Sequence, residues 1–123
     1  MHEDKARVVV VDDDKDSLEM LSYVVEMNGC EVWTASDGIE ALEVIALHRP
    51  HCVITDMKMP RMDGIELVAE LRRLYGSELV LVAMTGRDSE DSRMAPVFGQ
   101  VDHYLRKPVD PIVLGKLLRP EGV

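Results

Sequence analysis

Three carboxylates and one amine stand out by where they fall. An unbroken apolar run, Val8-Val9-Val10-Val11, stops abruptly at Asp12-Asp13-Asp14. A second run, Cys52-Val53-Ile54, stops at Thr55-Asp56. A third, over 79–84, stops at Thr85, and a short one over 103–105 is followed two residues later by Lys107. Each reads as a buried strand that finishes on a polar side chain. If the first two strands lie side by side, Asp13 and Asp56 share a pocket at the carboxyl edge of the sheet. Carboxylates crowded together repel and raise each other's pKa values. The usual reason a chain tolerates this is a hard divalent cation such as Mg²⁺. Asp56 is also a carboxylate nucleophile able to form an acyl phosphate. Lys107 would supply a compact positive charge beside it.

The elements that must position these groups alternate strictly. Strands are expected over 8–11, 31–35, 52–55, 79–84 and 103–105. Helices are expected over 16–27, with Leu18, Leu21, Val24 and Val25 on one face, and over a segment carrying Ala41, Leu42 and Ile45. Three more follow over 63–75, weakly over 88–95, and over 111–118. Asn28-Gly29 should close the first helix through a left-handed cap, and Ser36 should cap the second. Pro50 marks the end of the second helix, and Pro111 suits a first helical turn. Pro96 should end or kink the fourth helix and leave 96–100 irregular, because an interior proline costs about 3 kcal/mol.

Five strands alternating with five helices imply an α/β fold with a parallel sheet covered on both faces. Right-handed crossovers leave few topologies, and the common five-stranded one is the flavodoxin-like, doubly wound (βα)5 order 2-1-3-4-5. Its ligand crevice lies outside the carboxyl ends of strands 1 and 3. Asp12, Asp13, Asp56, Thr85 and Lys107 would converge there. Cys30 and Cys52 would be separated by strand 1, at about 9.5 Å, too far for a disulfide.

Composition sets the bounds. The chain has 123 residues, suited to one domain spanning 1–123 with its core over about 6–118 and no output domain. Its formal net charge of -9 argues against a nucleic-acid footprint. Apolar stretches are too short to span a bilayer, so no membrane association is expected. Met1-His2-Glu3-Asp4 lacks the pattern of a signal peptide, and the expected location is cytoplasmic.

Four segments together resemble the receiver domain of bacterial two-component signalling: Val10-Val11-Asp12-Asp13; Thr55-Asp56-Met57-Lys58-Met59-Pro60 with Met62-Asp63-Gly64; Ala83-Met84-Thr85-Gly86; and Tyr104-Leu105-Arg106-Lys107-Pro108. The last of these looks most like receivers attached to hybrid histidine kinases. The resemblance implies that Asp56 is the phosphate acceptor, that Asp12 and Asp13 hold Mg²⁺, that Thr85 and Lys107 contact the phosphoryl group, and that Tyr104 is a switch aromatic. It implies a histidine kinase or histidine phosphotransfer protein as phosphodonor, and a downstream protein partner at the face of helix 4, strand 5 and helix 5. Mg²⁺ would be shared by Asp13, Asp56 and the backbone carbonyl of Lys58, with Asp12 acting through a water. Lys58 and Arg87, two residues beyond Asp56 and Thr85, would set the phosphate lifetime by shielding it from attacking water.

Each residue has a plainer reading. Asp12-Asp13-Asp14 alone would be a helix cap, Asp56 a turn residue, Lys107 an exposed lysine and Tyr104 half-buried packing. Met57, Met59 and Met62 read as loop packing, and His48, His51 and His103 as surface residues. The joint placement favours the switch, a module that catalyses its own phosphorylation and dephosphorylation. Behind it stand a phosphate-independent interaction module of the same fold and a dehalogenase-like phosphatase. The last would need a second Asp at position 58, where the chain has Lys.

Overall fold

The computed structural model describes residues 5–86, 97 and 99–118. The chain runs β1 (Arg7–Val11), α1 (Lys15–Met27), β2 (Glu31–Ala35), α2 (Gly38–His48), β3 (Cys52–Asp56), α3 (Gly64–Tyr75), a 3-10 turn (Gly76–Glu78), β4 (Val80–Thr85), β5 (His103–Arg106) and a C-terminal helix (Pro111–Leu118). The strands form one parallel sheet in the order β2-β1-β3-β4-β5. The expected helix over 88–95 and its Pro96 break lie outside the described residues. Val97 is described, and it is helical and fully buried. Its carbonyl accepts from the N–H groups of Gln100 and Val101, so the irregularity expected at 97 is not met there.

The apolar runs become central strands because both faces of the sheet are covered. Val9 and Val11 face a core shared with Ile45, Leu67 and Leu71 of α2 and α3. Val8 and Val10 face the other, with Leu21 and Val25 of α1 and Leu114 of the C-terminal helix. All four valines are essentially inaccessible to solvent. Each contributes roughly 1.5–3 kcal/mol of burial, which fixes β1 in the middle of the sheet.

Local chemistry ends the elements. Asp14 caps α1 by accepting from the Asp16 N–H, and Gly29 follows that helix at φ 83°. Asp63 and Glu66 form a reciprocal capping box on α3. The cap of α2 is Asp37, not Ser36. Asp37 is the extended residue before the helix, and its carboxylate accepts from the Glu40 N–H at 2.8 Å. Ser36 lies one residue too early, and its N–H and hydroxyl both donate to the Glu40 carboxylate. Cys30 and Cys52 are buried free thiols, and burial pushes Cys52 up to about 12. His48 is not a free surface residue: it is half-buried and stacks on Trp33 at 4.2 Å. Exposed His51 accepts from the Arg7 N–H through Nδ1. Among the described residues, no helix is long and apolar enough to cross a membrane.

Candidate functional site

The register of the sheet brings the polar strand ends together. Val11 pairs with Thr55, Thr55 with Ala83, Asp56 with Met84, and Thr85 with Arg106. Asp12 therefore follows β1 beside the last residue of β3. Carboxylate oxygens of Asp12, Asp13 and Asp56 all lie within 4.8 Å of one another. Lys107, one residue beyond β5, reaches across the edge. Its Nζ donates to Asp56 Oδ2 at 3.0 Å and to Asp12 Oδ2 at 3.2 Å. The Lys107 N–H donates to the Thr85 carbonyl at 2.7 Å, which ties the lysine to the end of β4.

The acidic run after β1 divides its work. Asp14 turns outward and caps α1. Asp12 is fully buried, and its Oδ1 accepts from the Asp14 N–H. Asp13 is exposed at the mouth of the pocket. Asp56 keeps a side-chain exposure of 13%, so it is largely but not wholly closed to solvent. Its Oδ1 accepts from the Met57 N–H at 2.8 Å.

One ammonium facing three carboxylates leaves the pocket with negative charge to spare. Burial raises the Asp56 carboxyl above its ordinary range, and the Asp12 charge adds to this against the pull of Lys107 and the Met57 N–H. Burial alone would pull Lys107 down, but the hydrogen bond and charge of Asp56, reinforced by Asp12, hold it above its ordinary value. Lys107 is thus held cationic, while the Asp56 carboxyl stays raised, because one ammonium does not offset its burial and the neighbouring Asp12 charge. Clustered oxygen donors around an undercompensated charge fit a hard divalent ion. The residues present therefore suit Mg²⁺, with carboxylates of Asp12, Asp13 and Asp56 within reach of one ion.

The loop after Asp56 is held close to the strand. The Gly64 N–H donates to the Met57 carbonyl at 2.9 Å, and a Cβ on Gly64 would stand 2.1 Å from the Asp56 carbonyl oxygen. Only glycine permits that approach. Met57 is buried in the core, with Met59 and Met62 packed against the same cluster. Lys58 is exposed on this loop. Thr85 is buried at the end of β4, while Tyr104 on β5 is 54% exposed. Arg87 lies outside the described residues.

Two pairs of residues have no counterpart in the sequence reading. Asp37, 6% exposed, binds Arg61 of the loop after β3, with Asp37 Oδ2 at 2.9 Å from Nε and 2.8 Å from one terminal nitrogen. At the opposite edge, Arg72 binds Asp102 at 2.9 Å. The Asp37-Gly38 step just before a helix was a visible cap signal. Nothing in the sequence pairs it with Arg61, 24 residues away.

A family model described as the response regulator receiver domain matches residues 8–119. The response regulator MprA of Mycobacterium sp. (strain KMS) is 43% identical over 102 residues, 83% of this chain and 44% of that protein. MprA of Mycobacterium leprae (strain TN) is 41% identical over the same shares. The chain thus spans less than half the length of these curated relatives. Among solved structures, a response regulator receiver domain protein from Clostridium thermocellum superposes with a TM-score of 0.84 at 28% identity, covering 95% of this chain and 94% of that one. The chemotaxis protein CheY4 of Vibrio cholerae superposes with a TM-score of 0.83 at 31% identity, covering 94% and 98%. The match begins in β1 and ends past the C-terminal helix, so it takes in every strand end that meets at the acidic edge. The chain belongs to the response regulator receiver domains, the phospho-accepting modules of two-component signalling.

Proposed function

We propose that Asp56 is the phosphate acceptor of this receiver. The carrying observation is the shared Lys107 ammonium, which bridges Asp56 to the buried Asp12 within a cluster of three carboxylates. An Asp56 oxygen attacks the phosphorus of a phosphohistidine on a histidine kinase or phosphotransfer protein. The P–N bond breaks, its electron pair leaves with the imidazole, and an aspartyl phosphate remains. Asp13, Asp56 and the Lys58 carbonyl, with Asp12 through a water, would hold Mg²⁺, which would supply positive charge to the oxygens of this transfer. Met57 N–H orients the acceptor carboxylate from behind. Lys107 screens the carboxylate before transfer and pairs with a phosphoryl oxygen after it.

The placement of Thr85 and Tyr104 supports a switch. Thr85 ends β4 next to this site, and Tyr104 pairs with Ala83 two residues earlier on the same strand. The phosphoryl group draws the Thr85 hydroxyl toward it, and Tyr104 turns inward from its exposed position, shifting a two-state equilibrium. A protein partner, rather than nucleic acid, binds the face that carries β5 and the C-terminal helix, where the sequence reading also expects a fourth helix. The setting is cytoplasmic. Lys58 and Arg87 shield the phosphate and lengthen its life.

The test is incubation with acetyl phosphate and Mg²⁺, read by intact-protein mass. One phosphate should add to the parent and none to Asp56→Asn. Equal labelling of the variant, or labelling that survives chelation of all divalent metal, would defeat the site or the metal role respectively. NMR of the beryllofluoride-bound protein should move the signals of Thr85 and Tyr104.

A further inference from the structure

The loop of residues 57–63 leaves Asp56 and carries Lys58, whose carbonyl the proposed function assigns to the metal. Its far side is tied to the first turn of α2 in two ways. The Gly38 N–H donates to the Met62 carbonyl at 2.9 Å. A Cβ on Gly38 would stand 2.6 Å from the same oxygen, so the two backbones are in close contact. Beside them, Arg61 sits at φ 66°, in the left-handed region that a residue with a Cβ enters at a cost of about 1–2 kcal/mol. Its guanidinium is turned onto Asp37, with two nitrogens within 2.9 Å of one carboxylate oxygen. Asp37 is buried, while the Arg61 side chain is 61% exposed. The buried partner is thus anchored by its α2 cap, and the loop residue comes to it.

We infer that Asp37 and Arg61 form a clamp that positions the loop after Asp56 for divalent-cation binding. Both are positioning residues: neither belongs to the carboxylate cluster, and both act through the loop backbone. This inference rests on the proposed metal role of the Asp56 site. Residues that orient metal ligands from outside alter metal affinity when removed, commonly by about 10-fold or more.

The two halves of the clamp give opposite electrostatic expectations, which makes it testable. Loss of the Asp37 charge would weaken cation binding by electrostatics alone. Loss of the Arg61 charge would strengthen it by electrostatics alone, since a nearby positive group is removed. The clamp predicts weakening in both cases. The decisive variant is therefore Arg61→Ala, which leaves the α2 cap intact. Asp37→Asn is its companion, because asparagine caps a helix as well as aspartate.

Mg²⁺ affinity would be measured by calorimetric titration, and amide exchange at Gly38 and Gly64 by NMR in the metal-free protein. Arg61→Ala should bind Mg²⁺ about 10-fold more weakly and exchange faster at Gly38. Asp37→Asn should match it, the double variant should be no worse than either, and Arg61→Lys should recover part of the loss. Tighter or unchanged Mg²⁺ binding by Arg61→Ala, or unchanged Gly38 exchange, would overturn the clamp. A parent protein that binds no Mg²⁺ would instead sink the metal role, while the exchange measurement still decides whether the clamp holds the loop.

Discussion

Asp56 and Asp102 sit at opposite edges of the same sheet and are satisfied in opposite ways. Asp102 precedes β5 at the amino edge. Its Oδ2 accepts from the Leu81 N–H at 2.8 Å and from Arg72 at 2.9 Å, while its own N–H donates to the Leu81 carbonyl. Burial tends to raise this carboxyl, but the Leu81 N–H and Arg72 overcome it and hold it below its ordinary range. Asp56, at the carboxyl edge, shares one ammonium with Asp12 and is raised by burial. The chain completes the charge balance of one aspartate and leaves the other in deficit. A carboxylate that the fold has balanced is structural. One left short of positive charge is a candidate functional group, as the proposed role of Asp56 requires.

The largest effect that would sharpen this contrast comes from Arg72. Besides Asp102, its guanidinium donates to the carbonyls of Gln100, Gly76 and Leu79. It thereby pins the end of α3 to the segment entering β5. Arg72→Ala strands these acceptors in a region only 20% exposed at the arginine. It should destabilise the protein by about 2–3 kcal/mol, read as a lower urea midpoint with an unchanged slope. A loss of only a few tenths would mean that water replaces the arginine freely and that the amino edge is not a lock.

Removing the negative charge from each aspartate should give opposite signs. In metal-free buffer Asp56→Asn relieves repulsion with Asp12 and Asp13, and stability should rise by about 1 kcal/mol. Asp102→Asn keeps an acceptor for Leu81 but loses the ion pair, and stability should fall by about 1 kcal/mol after allowance for its exposure. Urea unfolding of the two variants side by side decides it. Destabilisation by both would erase the distinction between the edges.

How far these roles were legible in the sequence depended on the range of the signal. The strand runs, the sheet order and the convergence of Asp12, Asp13, Asp56, Thr85 and Lys107 followed from local apolar patterning plus one rule about parallel crossovers. Val8 to Val11 had to be central because no face of them is polar. What failed to show were partners joined only by tertiary packing. Arg72 and Asp102 are 30 residues apart, and Arg61 and Asp37 are 24 apart. Arg61 adopts its left-handed backbone without the glycine or asparagine that announces one. The cap of α2 shifted from Ser36 to Asp37 because both residue types cap well, and only backbone geometry chooses between neighbours.

The smallest effect is a pH dependence whose sign differs between the edges. Asp56 has a folded value raised above its ordinary 3.8. As pH rises from that value, the unfolded chain loses its proton first, so the native state binds more protons and stability falls with pH until Asp56 itself ionises. Asp102 has a folded value lowered below 3.8, so its contribution is present above that pH and is lost as pH falls through the lowered value. In metal-free protein the two act in adjoining windows, Asp56 above pH 3.8 and Asp102 below it. Subtracting the parent's profile from that of Asp56→Asn should isolate a stability difference that grows with pH above 3.8 and then levels off. Subtracting the profile of Asp102→Asn from that of the parent should show a difference that shrinks as pH falls below 3.8. Saturating Mg²⁺ should abolish the first and leave the second, because a bound cation keeps Asp56 ionised and does not touch Asp102. Mg²⁺ that flattened neither profile would separate the charge deficit at the carboxyl edge from the metal it is proposed to attract.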